Sequence, residues 1–514
     1  MSPLQLPQDS RVYVKEIPGC GRGTFASTHL DAGCQILQIP QPLVLILDVA
    51  NISRYCDYCY RSPYDQTTFA GQDTILKLVR CKACKTVRYC GQLCQRKAWD
   101  EYHKHECRVY ASQPSVLPTT NRALLRLLRR HESHLLTKES WDSFEAMEHH
   151  YSQVRAIGGQ TWNDFCLIAQ KLRSDSATDL SLDKLVLFVC RVACNSFTMI
   201  TPLLEPIGLA LDPQAALLNH SCDPNAFVRF DIAPPSAALT PSSYGALTII
   251  SLRPVAPHEQ VTIAYIDPTN PTPQRQRELK ARYHFQCRCP FCLRERGAFH
   301  GRECPTSAMA ELDHTTQDSI TQLRESAQQC LRQVQVGDEG KHVDSLRASM
   351  SDLARSNSFQ IHHYPWPQLR KQMLVGLLQI ESFENAFIQC SILVRKVHPL
   401  LYRDEVHPVR LVELWTLSQI GLHLMDINRN VLYVIFAAMQ LLQTLLSRGE
   451  RATGQFEVMV DMMINKLKLQ QHLWRNFIKD PGRPWLWLDR LIEANLGKEA
   501  AREEGSTLLS DSLS

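Results

Sequence analysis

The sequence predicts a multidomain α+β protein. A β-rich region is interrupted by a cysteine- and histidine-rich module, closed by a second cysteine cluster, and followed by an all-helical C-terminal domain. Three observations predict this. At 514 residues the chain exceeds what one hydrophobic core serves, so two or more domains are expected. Its 19 cysteines are bunched, with seven between 56 and 107 and three between 287 and 292. Short strand-like runs occupy 9–50 and 200–267, whereas 305–497 carries only helical patterns.

Along the chain, "RVYVKEI" and "QILQIPQPLVLIL" read as strands separated by Gly and Pro, with Gly19, Gly21 and Gly23 in a turn that lets backbone approach a ligand closely. No strand-Gly-x-Gly-x-x-Gly-helix unit surrounds them, which argues against a doubly wound nucleotide fold. Next come Cys56-x2-Cys59, Cys81-x2-Cys84, Cys90-x3-Cys94 and His103-x3-Cys107, ligand pairs enough for two tetrahedral zinc ions. In "AWDEYHKHEC", four-residue helical spacing puts His103 and Cys107 on one face and leaves His105 off it. Residues 108–195 are helical by periodicity, with Leu124, Leu125, Leu127 and Leu128 as one apolar patch.

The stretch "LLNHSCDPNAFVRF" (217–230) drops Asn219, His220, Ser221 and Cys222 between apolar runs. Read alone, it is a turn between buried elements. Strands resume in "FVRFDI", "ALTIISL" and "QVTIAYI", with "APPSAALTPSS" (233–243) as a mobile hairpin loop. Cys287, Cys289 and Cys292 then supply three thiolates where zinc needs four ligands; Cys222 is the candidate fourth, and Cys304 is a rival. Residues 498–514 are small and polar, and disorder is expected.

A formal charge of +4 is too slight to signal nucleic-acid binding. "MSPLQLPQDSRVYVK" lacks a secretory pattern, and apolar runs such as Val431 to Met439 fall short of a membrane span. A reduced intracellular compartment, nucleus or cytoplasm, is therefore expected, in which clustered cysteines bind metal and do not form disulfides.

In their order, "GCGRGTFA" (19–26), the paired ligands, "CNSFT" (194–198), "LLNHSCDPN" (217–225), "VTIAYID" (261–267) and "YHFQCRCPFC" (283–292) resemble the SET and MYND domain protein-lysine methyltransferases. The resemblance covers 9–300 well and the remainder loosely. It implies a SET fold (1–55 and 196–275) split by a MYND finger (56–107) and a helical insert (108–195), then a post-SET zinc segment (276–304), a TPR-like helical domain (305–497) and the tail. The gap between Cys59 and Cys81 is longer than that family's and implies an inserted surface loop.

That resemblance also implies interleaved zinc sites, Cys56, Cys59, Cys90 and Cys94 on one ion and Cys81, Cys84, His103 and Cys107 on the other, with Cys222, Cys287, Cys289 and Cys292 on a third. It implies S-adenosylmethionine as cofactor, lined by Gly21, Arg22, Gly23, Asn195, Asn219, His220, Tyr265 and Phe285, with Tyr265 and Tyr283 orienting a substrate lysine. The family often has Lys where this chain has Cys20. Lysine-bearing proteins are the implied substrates, proline-rich peptides the implied finger ligands, and a monomer the expected state. The basic run Arg80, Lys82, Lys85 and Arg88 would equally suit an acidic partner. Plainer readings stand beside these: Asn195 capping its helix, His220 a satisfied core histidine, Tyr265 and Tyr283 core aromatics. The competing function is a zinc-finger adaptor or corepressor with a weakly active or inactive SET fold.

Overall fold

A computed structural model describes residues 10–63, 77–232, 244–300, 314–332, 339–356, 359–448, 455–468, 475 and 479–501. The loop expected at 233–243, the rival ligand Cys304, most of the Cys59–Cys81 insertion and the tail beyond 501 lie outside these residues. The chain forms two compact units, one of residues 1–268, 273–289 and 449–459, the other of 269–272, 290–448 and 460–514.

The first unit opens with four strands: β1 (Val12–Ile17), β2 (Gly21–Ala26), β3 (Gln35–Ile39) and β4 (Val44–Leu47). Its cysteine-rich insertion holds β5 (Val79–Arg80), β6 (Arg88–Tyr89), α1 (Gln92–Ala98), a π-helical turn over Trp99–His103 and α2 (Lys104–Ser112). Helices α3 (Thr119–Glu132), α4 (Lys138–Glu145), α5 (Tyr151–Ile157), α6 (Gly159–Ser176) and α7 (Leu182–Asn195) follow. Side-chain caps start two of them, with Thr137 Oγ1 accepting from the Ser140 N–H at 3.1 Å and Ser181 Oγ from that of Lys184 at 3.3 Å. Strands β7 (Phe197–Ile200), β8 (Pro206–Leu211), β9 (Asn219–His220), β10 (Ala226–Asp231), β11 (Ala246–Ser251) and β12 (Thr262–Ile263) complete the β region before α8 (Thr272–Tyr283).

Pairing is antiparallel within β1-β2, β10-β11-β3, β4-β8-β7 and β5-β6. The exception is β9 against β12, which is parallel and sets Asn219 opposite Thr262 and His220 opposite Ile263. The run "QVTIAYI" thus gives only a two-residue strand, and Tyr265 lies in the bend after it. Buried Asn225 fixes this crossing: its Nδ2 donates to Glu259 Oε1 (3.0 Å) and Gln260 O (2.9 Å), and its Oδ1 accepts from the Thr262 N–H (2.8 Å).

An arginine ladder covers the free edge of β4. Arg122 Nη2 donates to Leu47 O (2.5 Å), Arg126 Nη1 to Leu45 O (2.6 Å) and Arg130 Nη1 to Leu43 O (2.6 Å). Four helical residues advance about 6 Å and two strand residues about 6.7 Å, so arginines spaced four apart meet alternate carbonyls. An edge that would otherwise template further pairing is capped by side chains. The leucines between the arginines, Leu124, Leu125, Leu127 and Leu128, are fully buried.

From residue 290 onward, α9 (Pro290–His300), α10 (His314–Arg332), α11 (Glu339–Ser356), α12 (Trp366–Gln379), α13 (Phe383–Ile392), α14 (His398–Leu401), α15 (Pro408–Leu422), α16 (Arg429–Leu446), α17 (Gln455–Lys468) and α18 (Arg483–Ala501) succeed one another. Neighbours α10–α11, α11–α12, α12–α13 and α15–α16 pack together. Gly376 and Gly421 permit close approach: a Cβ there would lie 2.8 Å from Val343 Cγ2 and 2.9 Å from Ile435 Cγ1. Two expectations change here. Helix α18 runs to Ala501, four residues into the expected tail, because Arg370 pairs with Glu499 at 2.7 Å and anchors that end. Helix α16 is, by length and composition, long and apolar enough to cross a membrane; 61% of its window is buried within the protein, as in a core helix.

Candidate active site and metal clusters

Three groups of sulfur and imidazole atoms converge, each with its ligand atoms within 4.8 Å of one another: Cys56, Cys59, Cys90 and Cys94; Cys81, Cys84, His103 and Cys107; Cys222, Cys287, Cys289 and Cys292. Contacts inside them run from 3.4 Å (Cys90–Cys94) through 3.6 Å (Cys59–Cys90) and 3.8 Å (Cys81–Cys107) to 4.0 Å (Cys222–Cys287). A tetrahedron with metal–sulfur bonds of about 2.3 Å needs sulfurs about 3.8 Å apart, whereas a disulfide needs about 2.05 Å. The donor sets therefore fit zinc. His103 Nε2 faces Cys81 Sγ (3.4 Å) and Cys84 Sγ (3.7 Å), while His105 Nδ1 turns away to Ser133 Oγ (2.9 Å). Gln276 pins the third cluster, donating to Cys287 O (3.1 Å) and accepting from the Cys287 N–H (3.0 Å).

The first two clusters are joined to α3 by buried charge. Arg126 donates through Nε and Nη2 to both oxygens of Glu106 (2.6 and 3.1 Å) and through Nη2 to Asp57 Oδ2 (3.3 Å), all three side chains being at most 3% exposed. Its guanidinium also lies 3.8 Å from the Tyr102 ring centroid. Asp57 sits beside Cys56 and Glu106 beside Cys107, so one arginine holds a residue next to each cluster.

The candidate active site gathers around β9. Asn219 Nδ2 donates to Arg22 O (3.1 Å), and Thr24 Oγ1 to Leu217 O (3.3 Å), which lays β2 against the 217–220 segment. Gly23 makes this possible, since a Cβ there would sit 2.6 Å from Gln260 Nε2 and 2.8 Å from Asn219 Nδ2. Its need for glycine is thus packing against protein, whereas Gly21 is exposed, with φ of +75° and open space around it. Arg22 Nη2 reaches Ala146 O (3.3 Å). Asn195 ends α7 and donates to Arg191 O (2.8 Å), one turn back, and to Glu148 O (2.7 Å). These bonds fit the capping reading of Asn195. Both hydrogens of its amide are used on backbone, and Oδ1 is left as the acceptor.

Four rings converge on the same place. Tyr265 and Tyr283 have centroids 4.7 Å apart, His220 and Tyr265 5.3 Å, His220 and Phe285 6.1 Å, and Tyr283 and Phe285 6.5 Å. Tyr265 donates its hydroxyl to Leu218 O (2.6 Å) and its N–H to His220 Nδ1 (3.0 Å). With Nδ1 accepting, the proton is assigned to Nε2, which faces Cys222 Sγ at 3.3 Å. His220 thus links the rings to the third metal cluster. Burial holds His220 down to about 4 and raises both Tyr265 and Tyr283 above the usual phenol range, so all three are neutral at neutral pH. Rings, an amide acceptor and close backbone suit a ligand with an adenine-like face and an ammonium.

The turn between α4 and α5 completes the site, and nothing in the spacing of the sequence singled it out. Carbonyls of Glu145, Ala146, Met147 and Glu148 each accept from a side chain of the site or its support. His150 from this turn lies 5.0 Å, centroid to centroid, from His284, which sits between Tyr283 and Phe285 in sequence. Its only sequence signal is the local run "MEHHY", too short and polar to tell from any loop.

Residues 21–266 match the family model for the SET domain. The chain is 28% identical over 382 residues, 72% of its length and 64% of the relative's, to "SET domain and MYND-type zinc finger protein 6" of Schizosaccharomyces pombe. It is 28% identical over 279 residues to human "Histone-lysine N-methyltransferase SMYD3", covering 53% of this chain and 59% of the relative. To human "N-lysine methyltransferase SMYD2" it is 27% identical over 302 residues, covering 54% and 58%. The chain spans about three fifths of the length of these curated relatives.

Proposed function

We propose that this chain, whose residues 21–266 match the SET-domain family model and which is similar to SET and MYND-type proteins, is an S-adenosylmethionine-dependent protein-lysine N-methyltransferase. The observation that supports this most is the convergence of Tyr265, Tyr283, His220 and Phe285 at β9, against which the Asn219–Arg22 bond lays β2. The cofactor, when bound, supplies a methyl group on a cationic sulfur. The chain's own residues do the rest. Neutral phenols and a neutral imidazole wall the site, so a lysine entering it loses hydration without gaining a counter-ion. That lowers its pKa from about 10.4 toward a range where the amine lone pair is free. Tyr265 and Tyr283 orient the amine, and alignment supplies several kcal/mol of barrier lowering.

The three metal clusters hold zinc as structural ions and take no part in the transfer. Residues 56–107 act as the MYND finger, with proline-rich peptides as its ligands, and the post-SET cysteines close the site through Cys222. Nucleus or cytoplasm is the compartment proposed, a reducing setting in which clustered cysteines stay available to metal. A peptide-array assay with labelled S-adenosylmethionine tests the reading: labelled lysine peptides are expected, and cofactor binding without transfer to any lysine would favour the adaptor.

Tyr265→Phe is the sharpest variant. Because the hydroxyl donates to Leu218 O at 2.6 Å, its removal costs about 1 kcal/mol of stability by leaving that carbonyl unpaired. Single-turnover transfer is expected to fall by about two orders of magnitude while cofactor affinity stays within a few-fold. Near-normal transfer would return Tyr265 to the core and leave Tyr283 as the orienting phenol.

A further inference from the structure

We propose that Arg191 is a positioning residue for cofactor binding: it fixes the α4–α5 turn so that Glu148 O and the Arg191 carbonyl together hold the Asn195 amide with its oxygen toward the ligand. This rests on the function proposed above and names a residue outside the expected site set.

The case begins with an expensive choice of side chain. Arg191 is 7% exposed, and among the described residues no carboxylate forms an ion pair with it. Its guanidinium lies 5.5 Å from the Phe144 ring centroid and 5.6 Å from that of Phe188, both fully buried. A leucine or methionine would fill that slot without the desolvation cost of a cation. What an apolar side chain lacks is donors. Arg191 Nη2 donates to Glu145 O and Nε to Met147 O (3.4 Å), at the C-terminal end of α4. The exposed carbonyls and negative dipole end of that helix offset the buried charge.

Holding those two carbonyls sets the next peptide. Glu148 O then points at Asn195 Nδ2 (2.7 Å), while Arg191 supplies from its own backbone the second acceptor, at 2.8 Å. The Cys194 thiol shares Glu148 O at 3.2 Å. An unanchored amide could turn over and present its NH2 to the site, where a ligand ammonium would be repelled. One guanidinium therefore acts at a distance on the polarity of the amide facing the ligand.

The test is a double-mutant cycle on the zinc-loaded full chain, with S-adenosylmethionine binding measured by calorimetry and amide hydrogen exchange followed over 145–151. Arg191→Met is expected to weaken cofactor binding about tenfold, the size of one well-oriented hydrogen bond to a charged group, and to speed exchange in the turn. Asn195→Ala should weaken binding similarly. The double variant should bind no more weakly than Asn195→Ala alone, since Arg191 acts through that amide. Arg191→Lys, which keeps the cation and one donor, should recover part of the affinity and serves also if the methionine variant folds poorly. Additive losses, or an Arg191→Met affinity within twofold of the parent, would overturn the assignment. If the parent chain binds no S-adenosylmethionine, the proposed function fails instead. Unchanged exchange in Arg191→Met would then sink the positioning role on its own terms.

Discussion

Two buried arginines do opposite work in the first unit. Arg126 lies among carboxylates: Glu106 at 2.6 Å and Asp57 at 3.3 Å neutralise it, and the trio joins the cysteine-rich insertion to α3 and β4. Arg191 has no ion pair among the described residues; it donates to carbonyls of the α4–α5 turn and packs on two phenyl faces. Where segments must stay together, charge is cancelled within the protein. Where a ligand must be read, the ring-lined site is kept neutral, and its amide acceptor is left unspent. The cysteine-rich insertion is accordingly built into the β region through buried side chains, and is no module on a tether.

The largest expected effect divides the metal clusters between these two kinds of region. Cys222→Ser should lower the zinc content from three ions to two and abolish cofactor binding, because His220 lies 3.3 Å from that sulfur and also accepts the Tyr265 N–H. His103→Ala should also cost one ion yet leave cofactor affinity within a few-fold. Metal analysis and calorimetry on both variants decide it, and equal losses of affinity would erase the distinction drawn here.

Arg126→Met comes next. It leaves Asp57 and Glu106 buried without their counter-ion, and unfolding in urea should show a loss of about 3–5 kcal/mol. Adding Asp57→Asn and Glu106→Gln should restore most of it. A loss below about 1 kcal/mol would mean that water or protons reach the carboxylates, contrary to the closed packing.

A half-buried acid on α15, Glu413, sharpens the contrast. Burial raises Glu413 on α15 from the ordinary 4.5 to about 7, with the Cys390 thiol donating to it at 3.6 Å. Its folded pKa exceeds the unfolded one, so its contribution to stability is full below about pH 4.5 and is lost as pH rises through about 7. The change is about 3 kcal/mol at most. Denaturation midpoints of the full chain across that window should fall with pH, and Glu413→Gln should flatten the trend. An unchanged slope in the variant would assign the dependence to other groups.

The sequence by itself determined which side chains gather into metal-capable clusters and the coarse class of fold. Cysteines spaced two or three residues apart must present sulfurs side by side, and a helix face separates His103 from His105, so local geometry made both readable. Strand and helix periodicities did the same for β1, β3 and β4 and for the helical stretch that holds α3 to α7, whereas β2 forms where the glycines read as a turn, because its partner β1 supplies the pairing. Long-range placement was not readable in that way. That β9 pairs with β12 in parallel, that Asn225 knots the crossing, that "QVTIAYI" spends only two residues as strand, and that three arginines four apart cap β4 depend on partners distant in sequence. The α4–α5 turn was invisible for the same reason: its part in the site lies in backbone carbonyls, which every residue carries and only the tertiary structure aims.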